Sequence, residues 1–296
     1  MATATATAIE VPKPGDSTAA RLLRFAARTP LNLFLAVVGL LWLVPTIGLF
    51  ITSILPASAD ASKGWWQIFT KPSTATWSNY DALFHNHGLI TALKVTAYIA
   101  IGNTLLVVLV GALAGYAFAW LDFPGRDWLF IGVIGLLVVP LQMALIPMFK
   151  LYDTFGLFDT WEGIALFHAA FGLPFAIFLL RNFFAGLPKD IMESARIDGA
   201  NEIVIFVRLI LPLGLPAIAS LCIFQFLWTW NDLLVALTFG QNTTPITVWI
   251  AGQLREFGTS IDIIAPASFI SLVIPLAVFF AFQRYFVQGL LAGSVK

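Results

Sequence analysis

The chain has 296 residues, is 59% hydrophobic and 11% charged, and balances 16 Lys and Arg against 16 Asp and Glu. A mean hydropathy of +0.89, with ten Trp and twenty-seven Phe, excludes an ordinary soluble domain. Zero net charge leaves no electrostatic footprint for nucleic acid.

The first 30 residues open on a Thr-Ala repeat followed by Pro12, Pro14 and Gly15, the composition of a disordered tail. Arg21, Arg24 and Arg28 follow among apolar residues, as expected of a basic segment at a membrane surface. Six apolar blocks come next, at about Leu31–Leu55, Leu89–Trp120, Leu129–Phe149, Gly163–Leu180, Leu213–Phe239 and Ile264–Phe282. A helix of roughly 20 apolar residues spans the hydrocarbon of a bilayer, so these lengths predict six transmembrane helices. In lipid each backbone N–H and C=O needs an internal partner, which helices supply; the alternation of a membrane barrel is absent. Lys94 is the clearest charge inside a block, near enough to its end to snorkel to the headgroups. Pro56–Ala59 reads "PASA", like a signal-cleavage site, but the block before it is far longer than a signal core and reads as an uncleaved anchor. The expected organisation is a tail over 1–30, a first transmembrane helix over 31–56, an outer loop over 57–88, a helical core over 89–284 and a tail over 285–296.

With the N-terminus inside, the inner connections carry eleven Lys and Arg and the outer ones three. That asymmetry places both termini in the cytoplasm and the loops 57–88 and 240–263 outside. Trp65, Trp66 and Trp77 in the first outer loop suit an interfacial aromatic belt.

Charge is concentrated in one inner segment. Glu193, Arg196, Asp198, Glu202 and Arg208 fall within sixteen residues. Pro188 suits a helix start, and Glu193 and Arg196 stand at i,i+3. Gly199 breaks the run, and Asn201 is a candidate cap for a second helix. Pro212 and Pro216 mark the turn back into lipid. Ile191, Ile197, Ile203, Ile205 and Phe206 cannot all be buried in so short a hairpin, so those near Gly199 await a partner.

The spacing Glu193-Ser194-Ala195, three residues, Gly199, nine residues, Leu209, one residue, Leu211-Pro212 resembles the EAA loop of permease subunits of bacterial ABC importers. Ser194 stands where the family has Ala, and Leu209 where it has Ile. The stretches Gly172–Ala200, Leu121–Arg126 and Trp230–Leu237 resemble the maltose-type, carbohydrate-uptake branch. The resemblance implies an all-α membrane protein with six transmembrane helices and a cytoplasmic coupling-helix hairpin at 188–213. It also implies that Glu193, Ala195, Ile197, Asp198, Gly199, Ala200, Asn201, Leu211 and Pro212 serve ATPase coupling. The implied partners are a second permease, a cytoplasmic ATPase dimer and an extracytoplasmic sugar-binding protein. The implied location is the bacterial inner membrane, with an oligosaccharide or alpha-glucoside as substrate.

No Lys is followed by Ser or Thr, so the phosphate-binding loop G-x-x-x-x-G-K-[ST] is missing and ATP with its Mg belongs to a separate chain. No nucleophile–base constellation suggests an enzyme, three scattered His suggest no metal site, and the single Cys222 reads as core packing.

Asp232 follows Pro212 by twenty residues. At 1.5 Å per residue that is about 30 Å, the hydrocarbon thickness, which puts it near the outer interface. With Trp228, Trp230 and Asn231 it could line the outer mouth of a sugar pathway, since aromatic faces and polar edges suit a sugar. An interfacial Trp belt with an Asn-Asp helix end is the equal alternative. In the outer loop, Ile246, Val248, Trp249, Ile250, Leu254 and Phe257 are too apolar for an idle connection. They are read as a binding-protein contact, centred on Trp249 and Leu254 by the resemblance, or as a helix on the membrane surface. Gly111 and Gly115 allow close helix approach, and His168 is expected to be a packing residue. An ion-coupled secondary transporter is the competing function. It needs midplane charges and usually an internal repeat, and neither is seen.

Overall fold

The computed structural model describes residues 18–58, 63–256 and 261–292, with side chains over 29–58, 63–254 and 261–284. The Thr-Ala stretch and Phe257 lie outside the described residues. Helix α1 (Thr18–Ser53) starts well ahead of the Leu31 at which hydropathy alone begins the first span, and it carries Arg21, Arg24 and Arg28. Two short 3-10 turns and α2 (Ser78–Phe84) follow. Asn79 Nδ2 donates to the carbonyls of Ser53 and Leu55 at 3.0 and 2.7 Å, pinning the end of α1 to α2.

Helix α3 (His87–Trp120) is capped by Asn86, whose Oδ1 accepts from the amides of Gly88 and Leu89. The third apolar block is not one rod. It forms α4 (Arg126–Leu136) and α5 (Leu141–Phe155), bent by 99°. Pro140 is the physical cause: it adopts extended angles and opens α5, while proline disfavours helix at the preceding residue. Helix α6 (Trp161–Ala185) runs parallel to α3. Gly102 faces Trp161, Gly111 faces Ala176 and Gly115 faces Leu180. A Cβ on Gly111 would sit 2.8 Å from that of Ala176, so the small residues set how closely α3 and α6 approach.

The polar hairpin comprises α7 (Lys189–Ile197), α8 (Glu202–Ile205), a π turn over Phe206–Ile210 and α9 (Leu211–Leu213). Helix α10 (Leu215–Trp230) then runs back antiparallel to α6, with Gly214 against Phe184 and Gln225 against Gly172. Helix α11 (Leu234–Phe239), α12 (Ile246–Glu256) and α13 (Ile261–Ala292) complete the chain. Helix α13 packs on α10 and on α1, where the Phe50 and Phe269 rings lie 5.0 Å apart.

Four helices among the described residues are long and apolar enough to cross a membrane: Thr29–Ser53, α3, α6 and Ile261–Arg284. The pair α4 with α5, and the hairpin arm with α10 (bent by 74°), make six if each bent pair is one span. Counted so, the spans match the six apolar blocks in number, with the third block bent within its length and the 74° bend falling where the fifth begins. Buried clusters lie at both ends of the bundle. Tyr116, Phe184, Met192, Ile205 and Ile210 sit beneath the hairpin, and Ile99, Phe167, Val235 and Phe239 lie at the opposite end.

Candidate functional site

The hairpin is built by two adjoining caps. Helix α7 ends in a Schellman motif: the amide of Ala200 donates to the Ala195 carbonyl at 3.0 Å and that of Gly199 to Arg196 at 3.1 Å. This closure needs the left-handed backbone that Gly199 adopts, with φ +82°. Asn201 Oδ1 then accepts from the Val204 amide at 2.9 Å and opens α8. The π turn falls four residues before Pro212, where the proline ring would otherwise collide with the Arg208 carbonyl. Leu211 packs on the buried cluster under the hairpin.

Within this frame the apolar residues divide by side. Met192, Ile205 and Phe206 are buried against α3 and α6, whereas Ile197 is 85% and Ile203 75% exposed, one on each side of the Gly199 bend. Glu193 and Asp198 are exposed as well. Arg196 does not pair with Glu193. Its Nε donates to Glu202 at 3.0 Å and its Nη2 to the Trp120 carbonyl at 3.3 Å. The bend swings Glu202 into reach, a proximity that i,i+3 spacing on one helix does not reveal. The Glu202 hydrogen bond raises the Arg196 pKa further above its ordinary value. Tyr116 donates its hydroxyl to Glu202, and Trp120 Nε1 donates to the Phe184 carbonyl at 3.0 Å. The hairpin is thus tied to the end of α3, which Trp120 in turn ties to the end of α6.

At the other end of the bundle, Asp232 caps α11, accepting from the amides of Val235 and Ala236 at 3.4 and 3.1 Å. Helix α10 stops at Trp230, and its 16 residues give about 24 Å of rise, so the straight 30 Å rod drawn from Pro212 is bent and shorter. Asp232 Oδ2 lies 3.4 Å from Nε2 of the buried His168, off hydrogen-bond alignment. His168 is therefore not fully satisfied: neither ring nitrogen has a hydrogen-bond partner among the described residues. Trp228 meets the His168 ring edge-on at 5.1 Å and is partly exposed. Trp230 corrects the expectation of a pathway residue: it is buried, stacks on Phe226 and donates to the Ser271 carbonyl at 3.0 Å. Asn231 is exposed, with its amide on the Leu227 carbonyl at the helix end.

The apolar loop also divides. Ile246 is fully buried, its amide donating to Thr96 Oγ1 of α3 at 2.7 Å. Trp249 and Ile250 are half-buried against the same cluster, so part of the loop's apolar surface is spent inside the chain. Leu254 remains 56% exposed. The connection before it is held by Asp159, a feature that sequence reasoning missed. Its carboxylate accepts from the amides of Gln241, Asn242 and Thr243, each at 2.8 Å, and from Asn242 Nδ2 at 2.7 Å. Burial pushes the Asp159 carboxyl up, but these hydrogen bonds together outweigh it and hold the group below its ordinary value.

Residues 107–291 match the family described as "Binding-protein-dependent transport system inner membrane component". The osmoprotective compounds uptake permease protein GgtD of Synechocystis is 43% identical over 93% of this chain and 95% of its own length. The alpha-glucoside transport system permease protein AglG of Rhizobium meliloti is 50% identical over 77% of this chain and 62% of its own greater length. Among solved structures, a bacterial ABC transporter that imports the acidic polysaccharide alginate superimposes with a TM-score of 0.71 at 21% identity, over 93% of this chain and 100% of that one. That likeness speaks for a shared importer-permease fold.

Proposed function

The chain belongs to the binding-protein-dependent transport system inner membrane components, as a permease of the carbohydrate ABC importers, and from that premise we propose how it couples ATP hydrolysis to sugar movement. It is a multi-pass membrane protein forming half of a translocation pathway. The hairpin at 188–213 faces the cytoplasm and docks into a separate ATPase, which carries the ATP, the Mg and the hydrolytic chemistry. The observation that carries this reading is the exposure of Ile197 and Ile203 on either side of a rigid, doubly capped bend. Such side chains are placed to enter a cleft, and the bonds from Tyr116, Trp120 and Arg196 would pass its motion into α3 and α6. Glu193, Asp198 and Asn201 supply the polar edge of that contact.

The remaining assembly is a second permease, a second ATPase subunit and an extracytoplasmic sugar-binding protein that meets this chain around Leu254. Trp249 acts there by fixing α12 on α3 rather than by direct contact. Trp228, Asn231 and Asp232 lie toward the outer end of the pathway. An alpha-glucoside or another oligosaccharide is the substrate class, supported by the names of the relatives. A photo-cross-linking residue at Ile203 tests the docking: capture of the co-expressed ATPase is expected, and capture of lipid alone would overturn it.

A further inference from the structure

At the end of the bundle opposite the hairpin, α3, α6 and the end of α10 meet in a polar knot. His168 of α6 is 1% exposed, and neither of its ring nitrogens has a hydrogen-bond partner among the described residues. Its Nε2 lies 3.4 Å from Asp232 Oδ2, and Trp228 closes one edge of the ring. A cavity of about 10 Å³ opens beside this pair, bounded also by Thr96, Thr229 and Pro245. Thr229 Oγ1 accepts from Asn103 Nδ2 of α3 at 2.6 Å, which leaves its own proton to give. Asp232 in turn carries the segment that follows it. Its carboxylate caps α11, and its carbonyl accepts from Thr247 Oγ1 of α12 at 2.5 Å.

We propose that His168 is a positioning residue: through one buried water it holds Asp232, and so fixes α11 and the start of α12 against α6. A buried water needs a polar site of roughly this volume and two to four partners. This cavity supplies three. The water accepts from the His168 Nε2 proton and the Thr229 hydroxyl, and it donates to Asp232 Oδ2. Two atoms 3.4 Å apart share such a water when it sits to one side, about 2.8 Å from each. A buried N–H without a partner is unfavourable and seldom tolerated, and the water gives this one a partner. The neutral ring then carries its proton on Nε2, toward the carboxylate. The bridge joins elements distant in sequence, because α11 and α12 touch α6 here through Asp232 and its backbone rather than through a continuous helix.

The test uses the complete importer. In the wild type, a cryo-electron-microscopy map that resolves ordered water is expected to show one beside His168 Nε2 and Asp232 Oδ2; a dry gap would overturn the bridge. His168→Phe keeps a ring of similar size and removes both nitrogens. If those nitrogens were idle, this change would leave α11 as firm as before or firmer. Amide exchange at Val235 and Ala236, whose N–H groups Asp232 holds, is instead expected to rise by about 2- to 10-fold, the effect of one lost hydrogen bond. His168→Gln, whose amide can hold the water, is expected to exchange closer to the wild type. Unchanged or slower exchange in His168→Phe, or an equal rise in both variants, would overturn the positioning role. The consequence for transport rests on the binding-protein contact proposed above. Stimulation of ATP hydrolysis by the loaded binding protein is expected to fall in His168→Phe while basal hydrolysis holds. Stimulation lost in Leu254→Arg yet kept in His168→Phe would overturn the part of His168 in transport and leave that contact intact. Stimulation kept in both would overturn the contact, while the exchange result still decides the role of His168.

Discussion

Gly199 separates two effects that a substitution normally mixes. Its φ of +82° lies in the left-handed region, and beyond its own two chain neighbours no atom of the described residues comes within 4 Å of where a Cβ would sit. Within the chain, Gly199→Ala therefore meets no steric barrier and only the backbone penalty, about 1–2 kcal/mol for a left-handed residue. If the hairpin must hold that shape to dock, the same energy weakens ATPase binding by a factor of roughly 5 to 30. Asn enters the left-handed region more readily, so Gly199→Asn is expected to fall between Gly and Ala. Gly199→Val carries a larger backbone penalty than Ala, because β-branched residues tolerate positive φ least, and adds two methyl groups in space empty within the chain, so only the loss beyond that of Ala that is not matched by a lower unfolding temperature reports the partner's surface. The assay is titration of purified ATPase against the detergent-solubilised permeases, with thermal unfolding to confirm an intact bundle. Wild-type affinity in both Ala and Val would refute the docking of this bend. Equal losses in Ala and Val would place the partner away from Gly199 itself.

Leu254→Arg is expected to reduce stimulation of ATP hydrolysis by the loaded binding protein without lowering thermal stability, because Leu254 is exposed; unchanged stimulation counts against that contact. Gly111→Val forces a side chain against Ala176 and is expected to destabilise the bundle by about 1–3 kcal/mol, read as a lower unfolding temperature in detergent; an unaltered temperature contradicts the tight α3–α6 crossing. Asp159 has a lowered folded pKa, so its contribution is complete above the unfolded value of about 4 and is lost as pH falls through the folded value. Hydrogen exchange at Gln241, Asn242 and Thr243, corrected for intrinsic rates, should rise below that pH in the wild type, and in Asp159→Ala be fast already at neutral pH.

The legible parts of this chain are those governed by local rules. The apolar blocks follow from hydropathy, the bend from Gly199 and the second helix start from Asn201, because each depends on a few adjacent residues. The apolar content of the hairpin exceeded what so short an element can bury, and Ile197 and Ile203 indeed stand outside while Ile205 and Phe206 are inside. What escaped depends on contacts across the fold. Arg196 reaches Glu202 only after the bend is made. The break at Pro140 is hidden by the unbroken apolar run Leu136–Val139, for which hydropathy has no resolution. Trp230 and Trp228 look alike in sequence, yet two residues along a helix turn one to α13 and the other to the His168 ring.

The central claim, that this chain moves sugar because a separate ATPase grips its hairpin, is tested most directly by uptake into proteoliposomes. The complete importer, enclosing ATP and supplied with binding protein and labelled maltose or trehalose, is compared with one carrying Ile197→Asp and Ile203→Asp, two exposed positions where charge leaves the fold intact. Uptake is expected to require both ATP and the ATPase subunit and to be abolished in the double variant, which should still insert and unfold like the wild type. Sugar accumulation without the ATPase, or undiminished in the double variant, would contradict the coupling.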